Sequence, residues 1–197
     1  MPKILIIRFS SIGDIVLTTP VFRCIKNQVP GAEVHFVTRS SYRQVTEHNH
    51  HIDKFFYLQD NLAVLINDLK LEQYDYVIDL HNNLRSLRIK RALGKKSFTV
   101  KKLNVEKFLL TNLNINILPP AHITTRSLAA AAPLGVTDDG LGLEYVIPAK
   151  DVVSADDIPT SHAAGFIAIV IGATYETKKM PVSRLQELCR KTDHPII

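Results

Sequence analysis

The sequence predicts a doubly wound α/β fold built on a Rossmann-like parallel sheet. Three observations carry this. Short apolar runs recur, KILIIRF at 3–9, EVHFVT at 33–38 and YDYVIDL at 74–80, and two of them lack the alternation of a strand with one wet face. Amphipathic stretches of helical character separate the runs, as crossover connections between parallel strands require. Turn residues such as Pro30-Gly31 and Gly94 punctuate the alternation.

Each element follows from its residues. Lys3 to Phe9 reads as a strand buried on both faces, followed by the small polar turn SSIGD and the helix-like stretch IVLTTPVFRCIKNQ. Pro20 interrupts that stretch, so the helix either kinks there or restarts with Thr18 or Thr19 as its cap. Glu33 to Thr38 is a second strand, and a short one is expected over Lys54 to Leu58. Helices are expected at Tyr42 to Glu47 and Leu62 to Lys70. Tyr74 to Leu80 is a further buried strand, and Leu84 to Leu93 a basic helix that Gly94 terminates. Then come a strand at Ser97 to Val100, helices at Val105 to Asn112 and His122 to Ala132, and a strand at Leu143 to Ile147. Lys150 to Ala164 reads as a linker. Phe166 to Ile171 is expected as a new buried strand, and Pro181 to Lys191 as a helix with proline in its first turn. The organisation expected is a domain over 1–149, a linker over 150–164 and the truncated start of a second α/β domain over 165–197.

Composition narrows the function class. A chain of 197 residues with 46% hydrophobic and 22% charged residues is no mainly disordered protein. The longest apolar run, Ala163 to Ala173, falls short of the roughly 20 residues of a membrane span. The N-terminus has no secretory profile, and two cysteines exclude a disulfide scaffold and a cysteine-based zinc site. A soluble cytoplasmic protein is expected. The net charge of +5 is concentrated: nine basic residues between Arg85 and Lys107 face one acid, Glu106, so that window carries +8 and the rest of the chain −3. The patch is either a solvated helix and loop or a surface for phosphates, on a substrate or an anionic membrane. Phe98 is the only aromatic in the window, which argues against a single-stranded nucleic-acid platform.

Four stretches carry candidate chemistry. At Ser10 to Asp14 a strand runs through SSIGD into a helix, the setting in which open α/β sheets collect ligands. Ser10, Ser11 and Gly13 are cleft-lining candidates, and Asp14 falls in the first helical turn; the same residues also suit plain helix capping. Gly172 to Pro181 (GATYETKKMP) repeats the strand–loop–helix logic, with Thr174 and Lys178 able to hold a phosphate. His81 and Asn82, in DLHNNLRS, lie where a strand ends and where a ligand or a helix cap would use them. His48-Asn49-His50-His51 lacks a supporting cluster and reads as a solvated loop, so no metal site is assigned.

The stretches KILIIRFSSIGDIVLTTPV, YDYVIDLHNNLRS, HITTRSLAAAAPLGV and GATYETKKMP, in that order, resemble glycosyltransferase family 9, the heptosyltransferases of lipopolysaccharide assembly. The resemblance implies a GT-B architecture, of which this chain would supply the N-terminal half and a truncated donor domain. It implies an inverting transfer of a heptose or related sugar from a nucleotide-sugar, ADP-heptose, to a phosphorylated lipid A–core type acceptor, with no cofactor and no metal. Asp14 matches the family's general base, and Thr174 and Lys178 its donor-binding loop. Peripheral contact with the anionic inner membrane is implied, nucleic acid is not, and the fragment alone would be inactive. Tyr175 and Met180 stand where the family often carries tryptophan. The alternative is a non-catalytic α/β nucleotide-binding or regulatory domain.

Overall fold

A computed structural model describes residues 1–173 and 175–197. The chain divides into two compact units, Met1–Val146 and Ile147–Ile197. The first unit holds a five-stranded, all-parallel sheet in the order β3-β2-β1-β4-β5. Along the chain its elements are β1 (Lys3–Ile7), α1 (Ile12–Val16), α2 (Thr19–Gln28), β2 (Glu33–Arg39), α3 (Arg43–Thr46), β3 (Lys54–Leu58), α4 (Leu62–Leu71), β4 (Tyr76–Asp79), α5 (Leu84–Leu93), β5 (Lys96–Thr99), α6 (Asn104–Leu113) and α7 (Ile123–Ala129).

The two-residue period of β1 explains the layers. Ile4 and Ile6 point to one face, against Phe22 and Ile25 of α2 and Leu128 of α7. Leu5 and Ile7 point to the other, against Leu65 and Leu69 of α4 and Ile89 of α5. All four strand residues are fully buried, and each such side chain contributes roughly 1.5–3 kcal/mol. The helix at Pro20 restarts: Thr18 takes the N-cap position and Pro20 the first turn, where its missing N–H costs nothing. Gly94 ends α5 with φ +63°, a left-handed conformation that glycine adopts without strain.

Two expected strands are absent. Leu143 to Ile147 forms none; its Glu144 N–H donates to Thr19 Oγ1 (3.0 Å) and its carboxylate lies beside Arg23, so side chains rather than a ladder fix it. Phe166 to Ile171 is not a buried strand either. In the second unit it makes a single parallel bridge, Ile167 to Ile196, and Val170 is 91% exposed. A parallel strand needs neighbours on its edges and cover on both faces. Among its described residues this unit offers one bridge, four short 3-10 turns at Ala149–Asp151, Ala155–Asp157, Thr160–His162 and Glu176–Lys178, and α8 (Val182–Lys191), which buries none of its residues.

Candidate active site

Strand order reverses between β1 and β4, the place where an open parallel sheet leaves a crevice at its carboxyl edge. The loops after these two strands bring Ser10, Ser11, Gly13, Asp14, His81 and Asn82 to that edge.

Asp14 occupies the third position of α1, and its two carboxylate oxygens differ. Oδ2 accepts from the Ser11 N–H (3.2 Å) and the Ser11 hydroxyl (3.0 Å), and pairs with Arg8 Nη2 (2.7 Å). Oδ1 has no hydrogen-bond partner among the described residues, and the side chain is 40% exposed. Burial pushes the Asp14 carboxyl up, but the Ser11 N–H, the Arg8 charge and the Ser11 hydroxyl together outweigh it, so the group titrates below its ordinary range. Asp14 is therefore an anion at neutral pH, fixed through one oxygen and open at the other. Beside it, a Cβ built on Gly13 would meet nothing within 4 Å, and Gly13 has no positive φ. This glycine thus borders open space beside the loop.

Arg8 was not a candidate from the sequence, yet it organises the site. Its Nε donates to Ser10 O (2.8 Å), its Nη1 to Leu80 O (2.6 Å) and its Nη2 pairs with Asp14, so one mostly buried guanidinium ties the β1 loop to the end of β4. The signal was an arginine closing the run KILII, a charge where a buried strand reaches its ligand edge.

The β4 loop is set by a second unanticipated residue. Asp79 is fully buried and accepts from the N–H groups of His81 (3.0 Å) and Asn82 (2.7 Å) and from the Ser86 hydroxyl (2.7 Å), with Lys90 Nζ at 2.8 Å. Asn83 and Ser86 cap α5 reciprocally. Asn82, at φ +52°, donates its side-chain amide to Val100 O (3.1 Å) and so holds the loop against the end of β5. His81 lies with its ring edge-on to Phe9 at 5.2 Å, and its Nδ1 is buried with no partner among the described residues. Burial, the Arg8 charge and the Lys102 charge push the imidazole down to about 4, so it is neutral at pH 7.

The basic stretch is uneven. Lys90 belongs to the Asp79 network, whereas Arg85, Arg88, Arg91, Lys95, Lys96, Lys101 and Lys107 are exposed. Lys101 and Arg126 help line a hollow of about 290 Å³, where Arg126 Nε is buried without a partner among the described residues. On α6, Val105, Phe108 and Leu113 are exposed beside Lys107.

Lys178 lies in the second unit, its ammonium 5.6 Å from the Tyr175 ring centroid. Thr174 lies outside the described residues. The histidine stretch is no solvated loop throughout: His51 is 8% exposed and its Nε2 stands 3.1 Å from Glu144 Oε2. No helix among the described residues is long and apolar enough to cross a membrane.

No family model matches the chain. It is 25% identical, over 207 aligned positions, to lipopolysaccharide heptosyltransferase 1 of Campylobacter coli, covering 95% of this chain and 60% of that protein. It is 24% identical over 139 positions to lipopolysaccharide heptosyltransferase 3 of Escherichia coli K12, covering 64% and 40% respectively. The chain thus spans about 60% or less of the curated relatives it matches. Among solved structures, a glycosyl transferase family 9 protein from Veillonella parvula matches with TM-score 0.68 at 18% identity, over 99% of this chain and 68% of the other. E. coli heptosyltransferase WaaC, solved with ADP-2-deoxy-2-fluoro heptose, matches with TM-score 0.69 at 18% identity, over 98% and 67%. The chain shares the Rossmann-like α/β fold of these proteins, and the relatives fall in the group that the motifs resemble.

Proposed function

We propose that this chain supplies the acceptor side of an inverting glycosyltransferase that moves a heptose from ADP-heptose to the phosphorylated core of a lipid-borne lipopolysaccharide acceptor. The observation that carries the reading is the asymmetry of Asp14, whose Oδ2 is held by three donors while Oδ1 has no hydrogen-bond partner among the described residues and the side chain is partly exposed. The relatives support it by what they are: two lipopolysaccharide heptosyltransferases, and a WaaC solved with ADP and with an ADP-heptose analogue.

In this mechanism the acceptor hydroxyl attacks the anomeric carbon, and its proton passes to Asp14 Oδ1. The bond from that carbon to the donor diphosphate breaks, and the configuration inverts. Such a transition state has oxocarbenium character, with the new bond little formed. The hydroxyl therefore loses its proton late, and a carboxylate of low basicity suffices as base. Arg8 is a positioning residue that keeps Asp14 ionised and aims its free oxygen. Ser10, Ser11, His81 and Asn82 line the acceptor side. Thr174 and Lys178 take their place on the donor side, meeting the charge that grows on the departing diphosphate.

The phosphorylated acceptor is met by the exposed cations of the basic stretch, with the hollow beside Lys101 and Arg126 as a seat for one phosphate. Exposed Val105, Phe108 and Leu113 next to Lys101 and Lys107 suit peripheral contact with the anionic cytoplasmic face of the inner membrane. The first unit receives the acceptor and the second begins the donor half.

The test is Asp14→Asn in a form long enough to span the relatives' full length. Turnover should fall by ~10²–10⁴-fold, the scale of a lost general base, with donor affinity little changed. A folded variant with near-normal turnover refutes the assignment.

A further inference from the structure

A second cluster lies away from the Asp14 edge. Asn49 O accepts the Ile52 N–H (3.2 Å) and closes a turn whose two corner residues are His50 and His51. Buried Asn49 locks the turn further, its Oδ1 accepting the His51 N–H (2.9 Å). The two imidazoles lie with centroids 4.0 Å apart and both present Nε2 to Glu144, at 3.7 Å from Oε1 for His50 and 3.1 Å from Oε2 for His51. The Thr19 hydroxyl in turn holds the Glu144 backbone.

We propose that His50, His51 and Glu144 form a binding site for a divalent transition-metal cation of the zinc type. The donor set is two imidazole nitrogens and a carboxylate, which suits zinc and its first-row neighbours. Bonds of about 2.0–2.1 Å at tetrahedral angles place neighbouring donor atoms about 3.3 Å apart. The two imidazoles stand 3.7 and 3.1 Å from the two different Glu144 oxygens, on either side of that value, and one donor atom from each residue falls within 4.8 Å of the others. The turn and the Thr19 contact therefore keep the three donors close together before any ion arrives. His50, two-thirds exposed, gives the entry path and leaves a coordination position for water.

Charge counting favours a cation. Arg23 stands 3.5 Å from Glu144 Oε2, but its guanidinium is engaged by Asp139 through two contacts of 2.7 and 2.8 Å and by Gly142 O. One guanidinium faces two carboxylates, so one negative charge remains. The other cluster of this kind among the described residues, Glu33, His35 and Glu72, differs on this point. Lys3 and Lys54 already neutralise both its carboxylates, and His35 Nδ1 is engaged by the Tyr74 hydroxyl. The ion would clip the β2–β3 crossover to the segment after α7, elements more than 90 residues apart in sequence. Its role is structural, and it takes no part in sugar transfer.

The test is a Co²⁺ titration of the 197-residue chain, purified without a polyhistidine tag and treated with chelator. One equivalent should bind, with the visible ligand-field band of a tetrahedral site, and Zn²⁺ should displace it. His50→Ala changes only an exposed ring and should fold normally, yet it should weaken Co²⁺ binding about tenfold or more. Glu144→Gln, which keeps shape and removes charge, should do the same, and His48→Ala should change nothing. Absence of saturable binding, or equal binding by wild type and His50→Ala, overturns the proposal, as does loss of binding in His48→Ala alone.

Discussion

Acidification from pH 7 to pH 5 should destabilise the first unit, and His81 should account for a measurable part of the loss. Folding places this imidazole against Phe9 and near two cations, Arg8 and Lys102, and lowers its pKa to about 4. In the unfolded chain the same group titrates near 6.5. Between these values the unfolded state binds a proton that the folded state refuses. The contribution is therefore fully present above about 6.5 and is lost as the pH falls towards 4. Linkage across that gap gives roughly 2 kcal/mol at pH 5, and the part of the ring that meets solvent reduces the expectation to about 1–2 kcal/mol. Urea denaturation followed by circular dichroism at both pH values would measure it, with His81→Gln as the comparison. Wild type should lose about 1–2 kcal/mol more than the variant. His35 and His51, whose burial pushes them down as well, act alike in both proteins and cancel in the difference. Proton NMR of the imidazole gives an independent reading: its midpoint should lie near 4 and rise in Arg8→Gln. A midpoint at the ordinary histidine value, or equal pH dependence in the two proteins, refutes the account of the site's electrostatics.

Other expectations follow from the same contacts. Arg23→Met strands the Asp139 and Glu144 carboxylates in a largely buried setting and should cost about 2–4 kcal/mol by urea denaturation, part of which Arg23→Met with Asp139→Asn should restore. In a full-length enzyme, Arg8→Gln should move the acid limb of the pH–rate profile to higher pH, because the guanidinium that depresses Asp14 is gone; an unmoved limb would mean that another group titrates. Replacing Arg88, Arg91, Lys95 and Lys96 with glutamine should weaken cosedimentation with anionic vesicles at low salt, and the difference should shrink as salt screens exposed charges.

The sheet was legible because its signals are local. Uniform apolar runs mark β1 and β4, and the bounds of α5 can be read from Leu84 to the glycine that stops it. The SSIGD turn was legible for the same reason. What escaped depends on partners distant in sequence. Arg8 acquires its role from Leu80 O, 72 positions away, and His51 is buried by Glu144, 93 positions away. Leu143 to Ile147 has strand-like residues, but its N–H and carboxylate are taken by Thr19 and Arg23 before a ladder can form. The Phe166 to Ile171 run is equally apolar and finds one bridging residue. Intrinsic preference names a strand only where neighbours exist to pair with it.

The position of β1 also dictates how the site resists thermal opening. It is paired on both sides, with β2 and β4, and its side chains are sealed on both faces. Backbone amides in such a strand exchange with solvent only when the whole domain opens, whereas those of edge strands and surface helices exchange through smaller fluctuations. Arg8, Ser10 and Asp14 follow directly from this most protected segment. Deuterium should thus enter β3 and β5 first and the amides of Ile4 to Ile7 last, and a substitution that loosens the periphery should raise the exchange rate there while leaving the carboxylate's anchor point shut.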